Sequence, residues 1–119
     1  MTKEEWDKFF NKEFNVVCKT VEEGREFLQE LSIINPKAKW CAGEKLLDYR
    51  GWEEYTKEYM VSFIYYRDTA KIVYEKIKDF ANYAIYTPVI VYVNDNNNNN
   101  ILKKELLNWL QGGGQYERS

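Results

Sequence analysis

The stretch from Val21 to Ile34 constrains this chain more than any other. Val21, Gly24, Phe27, Leu28, Leu31 and Ile34 recur at helical spacing, which makes one stripe of a helix apolar. Both ends are marked. Thr20 and Glu23 form the Thr-x-x-Glu signature of a capping box. Asn35-Pro36 stops the run, because proline disfavours helical geometry in the residue before it. A helix with such a stripe needs a partner surface, since packing supplies most of its stability.

The flanking segments supply candidate strands. Phe14 to Lys19 is β-branched and apolar and reads as a buried strand. Lys39 to Leu47 reads as a second, with an irregularity at Ala42-Gly43 of the kind a bulge produces. Tyr49 to Lys57 is polar and aromatic and reads as a loop carrying Trp52 and Tyr55. Tyr59 to Tyr66 is rich in strand formers, and Arg67-Asp68-Thr69 is a turn. The next stretch has two readings. Ala70 to Tyr74 fits the return arm of a hairpin, whereas Ala70, Val73, Ile77, Phe80, Ala81 and Ala84 also fit helical spacing; the strand over 70–75 is preferred. Thr87 to Val93 is a strand in which Pro88 is tolerated near the start.

The two ends add short helices. Thr2 to Glu5 is another capping box, followed by Trp6, Phe9 and Phe10 at i, i+3, i+4. Ile101 to Leu110 places Leu102, Leu106, Trp109 and Leu110 on one face and ends at Gly112-Gly113-Gly114. Between them, Asn94 to Asn100 reads as a mobile low-complexity loop, and 112–119 as a frayed tail. The expectation is a single α+β domain over 1–119. Its four- to five-stranded antiparallel or mixed sheet is drawn from 14–19, 39–47, 59–66, 70–75 and 87–93. One helix, 21–34, covers a face through Phe27, Leu28 and Leu31, with short terminal helices beside it.

Composition narrows the function. Hydrophobic residues make up 45% and charged residues 30%, enough to fill a core and wet a surface. Aromatics reach 17%, mostly core by this reading, with a share left for an interface. The net charge is −2 and no basic run exceeds Lys103-Lys104, so direct nucleic-acid binding is not expected. No apolar stretch approaches the length of a membrane span, and the charged N-terminus does not read as a signal peptide; a cytoplasmic protein without membrane contact is expected. Cys18 and Cys41 read as buried free thiols. The chain has no histidine, which removes the commonest general base and metal ligand. Ser32, Ser62 and Ser119 lie in no nucleophile elbow. Carboxylates alone could do acid–base work, but 19 acids pick out no pair. No catalytic residue, metal or cofactor is therefore expected.

One charge pattern stands out. Glu22, Glu26 and Glu30 are spaced four apart, with Glu23 adjacent, and each step is about 6 Å along a helix. Like charges at this spacing disfavour a helix slightly. The pattern reads either as a solvated face or as an acidic ridge, spaced like phosphates, that docks on a cationic groove. Glu22, Glu23, Glu26 and Glu30, with Tyr49, Trp52 and Tyr55, are the candidate partner-binding residues. A rival reading is a small-molecule or nucleotide pocket lined by Trp40, Trp52 and Tyr49, and a third is a structural component.

The run Val16-Val17-Cys18-Lys19-Thr20-Val21-Glu22-Glu23, then Phe27-Leu28, Trp40-Cys41-Ala42-Gly43-Glu44-Lys45-Leu46, Tyr49 and Trp52, resembles a loose group of small bacteriophage and prophage accessory proteins. The resemblance covers about 14–66; the 70–100 region departs from it. It implies a product that binds and disables host machinery, such as a nucleic-acid-binding defence effector of the CRISPR type. It carries over no catalytic residue.

Overall fold

The computed structural model describes residues 1–93; the expected Asn-rich loop, C-terminal helix and tail lie outside the described residues. The chain runs α1 (Lys3–Phe10), β1 (Asn15–Cys18), α2 (Val21–Ile34), β2 (Lys39–Trp40), a 3₁₀ helix (Gly51–Lys57), β3 (Met60–Tyr66), β4 (Lys71–Ile77), α3 (Phe80–Tyr86) and β5 (Val89–Val91). The strands form one mixed sheet in the order β2-β4-β3-β1-β5. β3 pairs antiparallel with both β4 and β1, while β5 joins β1 and β2 joins β4 in parallel. This is an α+β fold with a five-stranded mixed sheet, within the four- to five-stranded antiparallel or mixed sheet that the patterning implies.

Local chemistry accounts for the helix starts. The Thr2 hydroxyl accepts from the Glu5 amide at 3.1 Å, and Glu5 accepts from the Thr2 amide at 2.8 Å, a reciprocal box. At α2 the Thr20 hydroxyl accepts from the Glu23 amide at 3.1 Å. The Glu23 carboxylate accepts from the Lys19 amide at 3.2 Å, one residue upstream of the partner a reciprocal box would use. It also accepts from the Thr20 hydroxyl.

The sheet has two unlike faces, because successive side chains alternate across a strand. Val16, Cys18, Val61, Phe63, Tyr65 and Ile72 lie on the inner face and are almost wholly buried. Phe27 of α2 packs among them: its ring stacks on Trp6 at 5.3 Å and on Phe63 at 5.3 Å, and meets Phe9 and Tyr92 edge-on. Leu28, Leu31 and Ile34 complete the stripe. On the outer face α3 is anchored by one side chain. The Tyr83 hydroxyl meets Asn15 Nδ2 and Ser62 Oγ, both at 3.0 Å, and donates to Glu75. None of α3's residues is buried.

Three expectations need correction, and the two readings of 70–84 are reconciled. The strand placed at 39–47 stops at Trp40, because Gly43 adopts φ +100 and turns the chain back; the Trp40 amide then donates to the Glu44 carbonyl and the Gly43 amide to the Trp40 carbonyl. The irregularity at Ala42-Gly43 is thus a turn and not a bulge. The supposed loop 49–57 contains the 3₁₀ helix, which Trp52 pins by its burial. Both readings of 70–84 hold in succession: β4 runs to Ile77, and Asp79 then caps α3 by accepting from the Asn82 amide at 3.1 Å. Cys18 is buried as expected, but Cys41 is exposed on the turn after β2.

Candidate functional site

The segment 41–57, from the turn after β2 through the 3₁₀ helix, carries the sequence-nominated aromatics and is held in place by two contacts. The Trp40 indole N–H donates to the Leu46 carbonyl at 3.0 Å, fixing the start of the loop. At its end Glu53 is gripped by two guanidiniums: Arg25 of α2 donates twice, at 2.8 and 2.9 Å, and Arg50 once, at 2.9 Å. These bonds, first from Arg25 and then from Arg50, hold the Glu53 carboxyl well below its ordinary value of 4.5, at about 2. The 3₁₀ helix is thereby clamped to α2.

Two clefts open on this segment and share Tyr49 as a common wall. One, of about 200 Å³, lies between α2 and the loop against Leu28, Leu46, Leu47 and Trp52, with Arg25 and Arg50 at its lip. The other, of about 250 Å³, lies against Trp40, Cys41, Glu44 and Tyr74. The Tyr49 and Tyr74 hydroxyls are 3.2 Å apart. Tyr55 leans on the Tyr74 ring at 5.9 Å, with the Lys76 ammonium 4.3 Å above the Tyr55 ring. Burial, followed by the Tyr49 hydroxyl, raises the Tyr74 phenol well above its ordinary value. Leu47 is 51% exposed beside these groups.

The nominated residues therefore divide. Tyr49 and Tyr55 are half-buried and are brought together on Tyr74, a residue the patterning did not single out. Trp52 is 1% exposed; it supports the site from beneath and offers no partner contact.

The acidic ridge does not form. Glu22 is exposed, Glu23 is spent on the cap of α2, and Glu26 is half-buried. Glu30 is 1% exposed and lies towards Tyr92, whose phenol is raised first by burial and then by the charges of Glu30 and Glu26. Two turns of helix carry the row from the rim to the interior, so Glu30 cannot contact a partner's groove. Charged residues are rarely buried in this way, and spacing alone could not reveal it.

The pocket expected from Trp40, Trp52 and Tyr49 is divided between the two clefts, with Tyr49 in both. Among the described residues no three His, Cys, Asp or Glu side chains cluster to hold a metal. No helix among them is long and apolar enough to cross a membrane. Comparison with protein-family models, curated proteins and solved structures finds no match.

Proposed function

We propose that this chain is a non-catalytic interaction protein of the phage accessory kind, which binds and inhibits a host defence nuclease such as a CRISPR effector. The observation that carries the reading is the surface around Tyr49. It combines half-buried Tyr49, Tyr55 and Tyr74, the guanidiniums of Arg25 and Arg50, and the exposed Leu47. Tyrosine and arginine on a preformed, shallowly concave surface are the residue types that dominate protein–protein hot spots. The loop is already clamped, so little side-chain order remains to be imposed on binding. The phage resemblance supplies the class of target.

The test is a nuclease assay with candidate host effectors and the purified protein. One effector should lose cleavage at near-stoichiometric inhibitor. Tyr49→Ala and Leu47→Glu should each weaken that inhibition about tenfold or more, while Glu22→Lys with Glu23→Lys should leave it within about twofold, apart from a small loss of helix capping. Failure to bind any host nuclease would overturn the reading. A small molecule carried through purification would instead favour a ligand-binding module, for which the Trp40–Tyr49–Tyr74 cleft is the specific support.

A further inference from the structure

Strand register assembles a second surface that no stretch of sequence contains. Lys45 bridges to Lys39, Lys39 pairs with Lys71, and Lys71 pairs with Tyr66. Residues paired in register point to the same face, and this row lies on the outer face, since the next residues Trp40, Ile72 and the preceding Tyr65 are buried in the inner one. The row is extended by Lys12, whose Nζ lies 4.3 Å over the Tyr66 ring. Four lysines and a tyrosine thus form a line across the sheet. With strands about 4.8 Å apart, the three steps from Lys45 to Tyr66 cover about 14 Å.

None of these four lysines makes an ion pair among the described residues. Lys39, Lys45 and Lys12 are exposed, Lys71 is half-buried, and Tyr66 is 41% exposed. The next row inward is apolar, with Ile64 paired to Val73. The acids closest in the chain, Glu13, Glu44 and Asp68, are exposed, and Glu75, further along the same face of β4, accepts from Tyr83. Like charges directly opposite one another destabilise strand pairing. Lysine on a short edge strand guards against edge-to-edge association, which accounts for Lys39 and Lys45. It does not account for Lys71 on the interior strand β4, nor for Lys12. Lys12 adopts φ 62, a left-handed conformation that favours glycine, and from there reaches the Tyr66 ring.

We propose that this row binds the phosphodiester backbone of a single nucleic-acid strand, with Tyr66 as a stacking platform for a base. Unpaired lysines neutralise successive phosphates, and an aromatic ring among them is the arrangement that single-strand binders use. The overall acidic balance of the chain limits this to a local contact. An acidic protein segment would meet the lysines as well, and competition by an acidic peptide separates the two. This surface is separate from that around Tyr49, and the inference does not depend on the inhibitor reading.

The test is fluorescence anisotropy of a labelled oligo(dT) of about twelve nucleotides with the full chain, over a salt series. Binding should weaken with salt at a log–log slope of about −2 to −3, as expected for three to four phosphate contacts at about −0.7 each. Lys39→Glu with Lys71→Glu should reduce affinity about tenfold or more and flatten the slope by about 1.4. Tyr66→Ala should weaken binding while leaving the slope unchanged. Thermal melting should show both variants folded, since the double reversal exchanges one like-charge pair for another and Tyr66 lies outside the core. A polyglutamate peptide should compete poorly. No binding at low salt, binding that survives the double reversal, or polyglutamate competing as well as oligo(dT) would each overturn the proposal, the last by making the row an acidic-protein site.

Discussion

Truncation of Phe27 to alanine should remove about 3–5 kcal/mol of stability, the range for a fully buried phenylalanine. The ring is 0% exposed and touches aromatic partners from α1, β3 and the segment after β5. Those partners are themselves locked together: Trp6 meets Phe9 and Phe10 at 6.0 and 5.8 Å, and Phe10 meets Tyr65 at 5.0 Å. Interlocked rings cannot collapse into the space that Phe27 vacates, so the cavity cost is added to the lost transfer energy. A domain of this size has only about 5–15 kcal/mol in total, so the variant should be largely unfolded at 37 °C. Urea denaturation followed by tryptophan fluorescence measures the loss. A loss below about 1 kcal/mol would mean that α2 does not pack on the sheet as described.

The second large effect has a sign that helix propensity would get wrong. Gly24 lies inside α2, where alanine is ordinarily favoured by about 1 kcal/mol. A Cβ built on Gly24, however, would stand 2.5 and 2.6 Å from Trp52 Cζ3 and Cη2. The indole cannot retreat, because its other side meets Phe63 edge-on at 5.5 Å and the residue is 1% exposed. Overpacking of this kind costs about 1–3 kcal/mol, so after the propensity gain Gly24→Ala should be net destabilising by up to about 2 kcal/mol. It should also push the 3₁₀ helix away from α2 and strain the Arg25–Glu53 clamp. Denaturation midpoints, with Trp52 emission as a local reporter, distinguish the two signs. A variant more stable than the parent by about 1 kcal/mol, the propensity gain unopposed, would show that Trp52 does not rest on this glycine.

These two residues show where sequence reasoning reaches and where it stops. The stripe containing Phe27, Leu28 and Leu31 is a local, periodic signal, so α2 could be placed over 21–34 with both ends marked. The strands other than β2 were legible for the same reason, because β-branched and aromatic runs bounded by turn residues report local geometry, whereas β2 keeps only Lys39–Trp40 of the expected 39–47. Gly24 was legible only as one more small residue in that stripe; its purpose lies in Trp52, far along the chain. Glu30 fits an acidic row by spacing, yet the rotation of α2 against the sheet decides that it is inside. Tyr74 was invisible as a site residue until register and the clamped loop brought it to Tyr49 and Tyr55. The lysine row is an extreme case, since its members come from four separate segments and are neighbours only through strand pairing. The 3₁₀ helix was missed because Trp52 pins a polar segment whose own periodicity carries no signal.

The proposed function puts the working surface on the clamped segment 44–55 and not on the acidic positions of α2. Hydrogen–deuterium exchange of the protein, free and bound to a host nuclease of the proposed kind, reports this directly, since amides covered by a partner or stabilised by it exchange more slowly. The account predicts added protection across the loop and the 3₁₀ helix, centred on Leu47, Tyr49 and Arg50, with little change in α2 at Glu22 and Glu23. Protection confined to the N-terminal turns of α2, with 44–55 unchanged, would contradict it.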